Sequence, residues 1–401
     1  MSRFTIDFLG CKVSHVDAHE IRERLRRDGH VESTAGARAE IAVINTCCVT
    51  NEAVAKSRKA AARAARAGSR VYVTGCAANL AAGAFAGLPE SVVVVDKRAE
   101  ETVEFVAGDV GAIGCVQADT GLDRVRAFVK IQDGCSFSCG FCVIPLVRGA
   151  SRSRSARAVL GEIGRRVAQG HREVVLTGIN LGCFRDREAG FDLPRLVREA
   201  GAIPGLDRLR LSSIEINHVN DELAAALRET PIVAKHLHVP LQSGDDRVLR
   251  AMRRRYSTAT YLRRLEAFAG DFNLTSDVIV GFPAEDDQAF EQTLRTVESA
   301  GLTRVHVFPY SPRPGTETAA SDPVSPRVKK ERGARLRELS RELEHRRWQQ
   351  KLGGHDTVLV DRPGRGYGDD YSPFLVDAPV GELVRVKVRS ISEEGIVAVA
   401  A

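Results

Sequence analysis

Strand-like and helix-like stretches alternate along most of this 401-residue chain, and this order limits the folds open to it. Near the N-terminus, short apolar runs rich in β-branched residues alternate with stretches of good helix formers. The strand candidates are 3–10, 41–46, 71–75 and 91–96, and the helix candidates are 17–28 and 51–67, the second with Thr50 as N-cap and Gly68 just past its end. Alternation at this spacing is typical of a parallel, doubly wound sheet. The sequence therefore predicts an α/β domain over residues 1–118.

The alternation restarts at residue 125, after a stretch at 108–124 that we interpret as a linker. Six strand candidates follow, separated by helical stretches: 126–132, 173–178, 208–214, 235–241, 276–282 and 304–310. Six strand–helix units are too few for a full eight-stranded barrel of about 250 residues. We therefore expect a partial, open parallel (β/α)6 barrel over 125–345, followed by a basic helix at about 327–351.

The tail, residues 351–401, has a different pattern. The stretches DTVLVD, PFLVD, ELVRVKVRSI and GIVAVA are short alternating strands, and Gly, Pro and Asp separate them. Such a pattern is typical of a small antiparallel barrel or sandwich, of which we expect the barrel. The sequence thus predicts an α/β protein of three domains that ends in a β-barrel.

The composition narrows the class of protein further. The chain is 43% apolar and 27% charged, close to soluble globular averages. No apolar run approaches the roughly 18 residues of a membrane span, and Asp7 interrupts the position where a signal peptide would need its apolar core. We therefore expect a cytoplasmic protein. Nine cysteines in such a chain argue against structural disulfides and favour metal or redox chemistry.

Basic residues are concentrated in three stretches. Residues 148–172 carry seven Arg against one Glu, residues 245–264 carry seven Arg against two Asp, and residues 327–351 carry ten Lys or Arg against four Glu. Any one of these stretches is equally compatible with a solvated helix face. Three of them together favour a polyanionic partner such as a nucleic acid.

The sharpest chemical signal is Cys135–x3–Cys139–x2–Cys142, which directly follows the first barrel strand. Three thiolates within eight residues can bind three irons of an iron–sulfur cluster, and the fourth iron is then open to another ligand. Active sites of parallel barrels lie at the C-terminal ends of the strands, where this motif is placed. A structural zinc site that lacks its fourth ligand is the alternative.

A second triad is dispersed along the N-terminal domain. Cys11, Cys47 and Cys76 each directly follow a strand candidate. Because the carboxyl ends of parallel strands share one edge of a sheet, these cysteines can meet in space. Three independent buried cysteines are the alternative, since cysteine is among the most buried residue types. We interpret the remaining three, Cys48, Cys115 and Cys183, as core or surface thiols. For Cys48, which adjoins a proposed ligand, a substitute ligand or redox neighbour is the alternative.

These features resemble the radical S-adenosylmethionine (SAM) enzymes, whose signature is similar to the Cys135–Cys142 motif with Phe141 before its last cysteine. Over the whole chain, the resemblance is to the methylthiotransferases of that group. The motifs that carry it are LGCKV (9–13), NTC-x-VTN (45–51), GCSFSCGFCVIPLVRG (134–149), LTGINLG (176–182), RLSSIE (210–215), HLHVPLQSG (236–244), DVIVGFPAE (277–285) and HVFPYSPRPGT (306–316). The resemblance to the methylthiotransferases implies that the tail barrel is of the TRAM type.

Within that family, LGCKV and NTC-x-VTN are most similar to the MtaB branch, although Ser14 and Cys48 depart from its usual pattern. The resemblance implies an enzyme that adds a methylthio group to C2 of N6-threonylcarbamoyladenosine at position 37 of tRNA. It also implies SAM and two 4Fe-4S clusters as cofactors, the tRNA anticodon loop as substrate partner, and an electron donor such as flavodoxin or ferredoxin. Cys135, Cys139 and Cys142 would hold the SAM-binding cluster, and Cys11, Cys47 and Cys76 an auxiliary cluster that supplies the sulfur.

Further motif residues receive roles from the same resemblance. The predicted SAM contacts are Gly178, Ser212, Glu215, Gly281 and Phe282, all at strand ends, and the candidates for reading the substrate carboxylate are Arg148 and Arg313. Of His236 and His238 on one strand, we expect only one to face inward.

Two sister branches of the family are the enzyme alternatives, and they act on a ribosomal-protein aspartate or on isopentenyladenosine in tRNA. A tRNA-binding protein with structural clusters is the non-enzyme alternative. Residues 352–401 carry five Lys or Arg against eight Asp or Glu, which is less suited to RNA than a basic barrel. The adjoining basic helix could supply the phosphate contacts instead.

Overall fold

The computed structural model describes residues 2–33, 38–80, 82–113 and 125–401. They form two compact units. The first contains the described part of 1–121 together with 134–150 and 311–320, and the second contains the described part of 122–133 together with 151–310 and 321–401. The three domains delimited from the sequence stay predictions, and Cys115 lies outside the described residues.

The first unit is built on a five-stranded parallel sheet in the order β2-β1-β3-β4-β5. Its strands are β1 (Arg3–Phe8), β2 (Val31–Glu32), β3 (Ile41–Thr46), β4 (Arg70–Gly75) and β5 (Val92–Val94). Its helices are α1 (Lys12–Arg27), α2 (Asn51–Arg66), α3 (Cys76–Leu80), α4 (Ala99–Val110) and α5 (Ile144–Arg148). Phe4 and Val106 belong to a core on one face of the sheet, and Ile44 and Val73 to a core on the other. The predicted doubly wound architecture is confirmed.

Local sequence explains most boundaries in this unit. Thr50 caps α2, because its Oγ1 accepts a hydrogen bond from Ala53 N at 3.1 Å. Gly68 follows that helix in the left-handed region, with φ of +89°. Helix α1 begins earlier than predicted, at Lys12, because Cys11 is already in the extended N-cap conformation. Helix α4 was not predicted, and it extends to Val110 and so into the stretch interpreted as a linker.

The second unit contains the six predicted barrel strands. Its strands before the tail are β6 (Arg126–Asp133), β7 (Arg152–Ser153), β8 (Glu173–Gly178), β9 (Arg185–Asp186), β10 (Phe191–Asp192), β11 (Arg208–Leu211), β12 (His236–His238), β13 (Asn273–Val280) and β14 (Leu302–Pro309). Its helices are α6 (Ala156–Ala168), α7 (Leu193–Gly201), α8 (Asp221–Glu229), α9 (Asp246–Ala251), α10 (Thr258–Glu266), α11 (Asp287–Ser299) and α12 (Pro326–Gln349).

Parallel pairing joins β6 to β8, β8 to β11, β12 to β13, and β13 to β14. Isolated parallel bridges between Leu209 and Val233 and between Ser213 and His238 connect the two sheets. The predicted partial parallel barrel is thus confirmed. Along each strand, apolar side chains such as Val129 and Leu176 belong to the large core. Their chain neighbours lie on the opposite side of the sheet.

The tail forms a closed barrel in the order β15-β16-β17-β19-β18, as predicted. Its strands are β15 (His355–Arg362), β16 (Arg365–Tyr367), β17 (Pro373–Leu375), β18 (Leu383–Ser392) and β19 (Gly395–Ala400). Only the β17–β19 pair among its pairings is parallel. Val358, Val386 and Phe374 fill its core together with Trp348 of α12.

Buried ion pairs hold the tail against the first residues of the barrel strands. Glu173 of β8 is 1% exposed and accepts hydrogen bonds from Arg210 Nε at 3.0 Å and Arg208 Nη1 at 3.2 Å. The same guanidinium groups reach the tail, where Arg208 Nη2 donates to the carbonyl of Thr357 at 2.6 Å and Arg210 Nη2 to that of Gly368 at 3.3 Å. The tail is therefore an integral part of the second unit.

No helix among the described residues has the length and apolar character needed to cross a membrane.

Candidate functional site

The dispersed cysteine triad comes together at one edge of the N-terminal sheet. Cys11, Cys47 and Cys76 follow β1, β3 and β4, which are neighbours in the sheet. Cys11 is exposed, Cys47 is half-buried and Cys76 is buried. Burial raises the pKa of the Cys47 thiol to about 11, and Cys76 and Cys11 lie close enough to act in the same direction. Three neighbouring strand ends therefore present three thiols whose exposure to solvent decreases from Cys11 through Cys47 to Cys76.

Two glycines allow these strand ends to approach. A Cβ on Gly10 would lie 2.7 Å from Ser14 Oγ and 3.6 Å from the Cβ of Cys47. A Cβ on Gly75, whose φ is +88°, would lie 2.5 Å from Asn45 Oδ1 and 2.8 Å from the carbonyl oxygen of Thr46. Only glycine fits at either position. The triad is thus held in a cradle that a single added methyl group would open, and its three thiols fit an iron–sulfur cluster.

Replacing Gly75 by Ala tests this cradle. The left-handed conformation alone costs roughly 1–2 kcal/mol for a residue with a Cβ, and the contacts with Asn45 and Thr46 add to that cost. We expect a lower melting temperature and a loss of iron that is confined to the auxiliary cluster.

Gly87 provides the matched control. Its φ is +73°, but an added Cβ would have no neighbour within 4 Å. Gly87→Ala should reproduce the conformational cost and keep the full iron content. Equal iron loss in both variants would contradict the proposed cradle.

The compact triad lies on a loop that is closed at its two ends. Cys135 N donates to the carbonyl of Gly149 at 3.0 Å, and a Cβ on Gly134 would lie 2.2 Å from the carbonyl oxygen of Ala150. Cys135, Cys139 and Cys142 are all half-buried. Within the loop, the N–H of residue 137 donates to Cys135 Sγ at 3.4 Å. Three cysteines on one short loop, with a backbone N–H directed at one of the sulfurs, would provide three ligands for one cluster.

Helix α5 continues from this loop and packs against α3. Asn79 Nδ2 donates to the carbonyl of Val147 at 2.9 Å. At the end of α5, the buried Arg148 donates from Nε to Cys76 Sγ at 3.2 Å and from Nη2 to Asp17 Oδ2 at 2.7 Å. A hydrogen bond with Cys48, together with this guanidinium, holds the pKa of Cys76 below its ordinary value despite burial.

In the second unit, buried polar atoms without a partner mark the ends of β8 and β11. Thr177 Oγ1, Asn180 Oδ1 and Ser212 Oγ are buried, and none of them has a hydrogen-bond partner among the described residues. The N–H of Ser212 donates to the carbonyl of Leu176 at 2.9 Å, so the two strand ends are adjacent. Because buried polar groups are normally paired, this set fits a polar ligand.

Gly178 lies at the same place, and it is buried against β6. An added Cβ would lie 3.0 Å from the carbonyl oxygen of Gln132 and 3.1 Å from its Oε1. Gln132 Oε1 also accepts from the N–H of Asn180 at 2.8 Å. Glycine at this position therefore allows the end of β8 to pack closely against Gln132 of β6.

The other predicted SAM contacts have protein partners. Glu215 accepts from Asn217 N at 2.8 Å and from Arg254 Nη2 at 3.2 Å. Gly281, with φ of +74°, donates its N–H to Glu285 Oε1 at 2.8 Å. Phe282 is buried with its ring edge-on to Tyr310, and its carbonyl accepts from Glu285 N. Their roles toward SAM stay predictions.

Comparison with known proteins assigns the family. Residues 129–297 match the radical SAM superfamily, and residues 3–95 match the uncharacterized protein family UPF0004. The threonylcarbamoyladenosine tRNA methylthiotransferase MtaB of Thermotoga maritima is 33% identical over 99% of this chain and 96% of that protein. The MtaB of Bacillus subtilis is 32% identical over 97% of this chain and 94% of its own length. This chain belongs to the MtaB branch of the radical-SAM methylthiotransferases.

A relative from a sister branch of the same family is also similar to this chain. The tRNA-2-methylthio-N(6)-dimethylallyladenosine synthase of Paracoccus denitrificans is 32% identical over 97% of this chain and 94% of that protein. Among solved structures, the radical SAM methyltransferase TsrM of Kitasatospora setae has a TM-score of 0.56 at 13% identity, covering 80% of this chain and 75% of that one. This last likeness shows the fold alone.

The two arginines that the family resemblance suggested as substrate readers are both buried in the first unit. Arg148 bonds Asp17 and Cys76, as described above. Arg313 donates to the carbonyl of Cys48 at 3.2 Å and to Ser311 Oγ at 3.0 Å, and it also bonds Asn51. These contacts support the turn after β3. The proposed reading of a substrate carboxylate by either arginine stays a prediction.

One expectation for the methylthiotransferase motif HLHVPLQSG is wrong. We expected only one of His236 and His238 to face inward, but both bond the same hydroxyl, Thr275 Oγ1, at 2.9 and 3.0 Å. The reason is the strand period of two, which places residues i and i+2 on the same face.

The remaining described cysteines agree with their interpretation as core or surface thiols. Cys48 is buried, and a hydrogen bond with Cys76 together with burial raises its pKa well above the ordinary value. Cys183 is half-buried, with its Sγ 3.4 Å from His218 Nε2. Sequence reasoning missed Thr177 and Asn180 as candidate ligand contacts. Their place in the LTGINLG motif, beside the predicted Gly178, was the signal that could have found them.

Proposed function

We propose that this protein is a radical-SAM methylthiotransferase that adds a methylthio group to C2 of N6-threonylcarbamoyladenosine at position 37 of tRNA. The observation that carries the proposal is the match to proteins of this name over almost the whole chain. Two cysteine triads that follow parallel strands support it independently, because three thiols are the ligand set of a cluster with one open iron.

The two cysteine triads would hold two clusters with different roles in the reaction. Cys135, Cys139 and Cys142 would hold the SAM-binding 4Fe-4S cluster, and Cys11, Cys47 and Cys76 the auxiliary one. The first cluster would supply the electron for reductive cleavage of SAM, the second would supply the sulfur, and a second SAM would supply the methyl group. The closed loop 134–150 holds the first three thiols in one orientation, and Gly10 and Gly75 allow the other three to converge.

The polar set in the second unit would bind SAM. Thr177, Asn180 and Ser212 offer unpaired hydroxyl and amide groups that can hydrogen-bond its amino, carboxylate or ribose groups. The missing side chain of Gly178 makes room for Gln132 of β6, whose Oε1 accepts from the N–H of Asn180 beside this polar set. The low exposure of these residues excludes water from the bound ligand, which protects a radical from side reactions.

The partners follow from the substrate. A base modified at C2 must be unstacked from its neighbours, and adenosine 37 lies in the single-stranded anticodon loop, where unstacking costs less than in a duplex. An electron donor of the flavodoxin or ferredoxin class would reduce the cluster, and the cytoplasm is where such a donor and tRNA meet. A tRNA-binding protein with merely structural clusters has no use for two separate sets of three thiols, and we do not favour this alternative.

Two basic residues of the stretch 327–351 are engaged inside the protein, whereas others in this stretch and in 245–264 are exposed. In α12, Lys329 bonds the carbonyl of Tyr310 at 3.0 Å, and Arg332 bonds Glu285 Oε1 at 2.6 Å. In the tail, by contrast, Arg385, Lys387 and Arg389 are exposed at alternate positions of β18 and so share one face. We propose this basic stripe as a phosphate-binding surface despite the net negative charge of the tail.

Charge reversal of the stripe tests its role. Each lost phosphate contact lowers the log–log salt dependence of binding by about 0.7–0.9. Replacing Arg385, Lys387 and Arg389 by Glu should therefore weaken tRNA binding and reduce the slope by roughly 2–3 units. SAM cleavage without tRNA should be unchanged. Deleting the tail would be a poorer test, because Arg208 and Arg210 would lose buried partners.

A matched control reverses three exposed arginines on α7 and α8, namely Arg195, Arg198 and Arg228. It changes the net charge equally and should alter the slope little. If both triple variants bind tRNA alike, the stripe has no specific role.

Substrate choice is tested with anticodon stem-loops that carry threonylcarbamoyladenosine, isopentenyladenosine or plain adenosine. We expect methylthiolation, read by nucleoside mass spectrometry, on the first of these. Preference for the isopentenyl form, or activity only on a ribosomal protein, would overturn the branch-specific substrate and leave the radical mechanism intact.

A further inference from the structure

Arg148 joins the two cysteine motifs within the first unit. It lies six residues after Cys142, at the end of α5, and its Nε–H points at the sulfur of Cys76 at a distance of 3.2 Å. Cys76 begins α3. A single side chain from the loop of the compact triad thus bonds a sulfur of the dispersed triad.

The other end of Arg148 reaches a third element. Its Nη2 bonds Asp17 Oδ2 at 2.7 Å, and both side chains are 7% exposed. Asp17 lies on α1, the helix whose N-cap is Cys11. The guanidinium therefore links the helices that begin at two of the three proposed auxiliary ligands.

A purely structural ion pair would not need this arrangement. Asp17 alone would neutralise the buried charge, and buried ion pairs are in general weak contributors to stability. The Nε–H instead donates to the sulfur of Cys76. A thiol sulfur is a weak hydrogen-bond acceptor, and a thiolate sulfur is a much better one. Hydrogen bonds to cluster sulfurs and nearby charges are what set the reduction potential of iron–sulfur clusters.

We infer that Arg148 is a positioning residue for the auxiliary cluster, which orients Cys76 and makes that cluster easier to reduce. This inference rests on the proposed function, because it requires a cluster on Cys11, Cys47 and Cys76. A positive charge and a donor near the sulfur stabilise the more negative, reduced state. Their loss should therefore lower the potential of this cluster and leave the SAM-binding cluster unchanged.

The test uses the full-length, reconstituted protein with Arg148→Gln, Arg148→Lys and Asp17→Asn. Redox titration followed by electron paramagnetic resonance reads both clusters, and added SAM identifies the signal of the one that binds it. Arg148→Gln should lower the reduced-to-oxidised ratio of the auxiliary cluster roughly tenfold at fixed potential, which is about 59 mV for one electron. Arg148→Lys keeps the charge but not the planar pair of donors, so it should give a smaller shift in the same direction.

Asp17→Asn distinguishes an effect of Arg148 on the reduction potential of the cluster from an effect on the stability of the protein. It weakens the ion pair while the Nε donor remains, so the apo protein should melt earlier but the potential should not fall. Wild-type potentials in both Arg148 variants, with melting temperatures lowered as in Asp17→Asn, would assign Arg148 a structural role only and overturn the inference. Failure of the proposed function would look different, since the wild-type protein itself would then lack a second cluster.

Discussion

Replacing Cys135, Cys139 and Cys142 by Ala should abolish SAM cleavage and halve the iron content. Two 4Fe-4S clusters correspond to about eight iron per chain after anaerobic reconstitution, and one cluster to about four. The loss of cleavage should be complete because, in the proposed function, SAM binds to the cluster on this loop and not to the auxiliary cluster. Iron analysis and a 5′-deoxyadenosine assay measure the two effects separately.

The dispersed triad is the matched control for this experiment. Replacing Cys11, Cys47 and Cys76 by Ala should also halve the iron, but SAM cleavage should persist without methylthio transfer. The two triple variants therefore lose the same amount of iron and differ in which reaction they lose. Full iron in the first variant, or equal loss of cleavage in both, would contradict the assignment of roles.

Replacing Glu173 by Gln should strongly destabilise the second unit. This carboxylate is 1% exposed, and it neutralises Arg208 and Arg210, which are equally buried. Burial acts to raise the pKa of Glu173, but the guanidinium groups of Arg210, Arg208 and Arg126 outweigh it and hold that pKa below its ordinary value. Removing one partner of a buried pair costs about 3–5 kcal/mol, since the other charges stay buried without compensation.

For a unit of this size, each kcal/mol lowers the melting temperature by about 2–4 °C. Thermal unfolding followed by circular dichroism gives this quantity directly. Glu291→Gln is the control, because Glu291 forms an exposed pair with Arg335 and should leave the melting temperature nearly unchanged. A Glu173→Gln protein that melts like the wild type would show that the network is not needed for stability.

The fold was largely predictable because local patterns of apolar and helix-forming residues indicate most of its strands and helices. Strand–helix alternation predicted the doubly wound domain and the six barrel strands, and short alternating strands predicted the tail barrel. The comparisons and the structure agree with these predictions. What was missed is short or locally ambiguous. Val31–Glu32 is too brief to leave a periodic pattern, and the helix Ala99–Val110 contains a glycine and ends beside another. Neither segment has a strong preference of its own, so the neighbouring elements decide its conformation.

In the candidate site, too, some features were predictable from local sequence and others were not. The sequence by itself determined which cysteines are chemically relevant, because their spacing and their places after strands follow from the covalent order of the chain. Only the tertiary structure decided what Arg148, Arg313 and Glu215 contact, since their partners lie far away in sequence and long side chains can reach many positions. It also decided that Thr177, Asn180 and Ser212 are buried without partners. Burial and hydrogen-bond satisfaction are properties of packing, which no local pattern encodes.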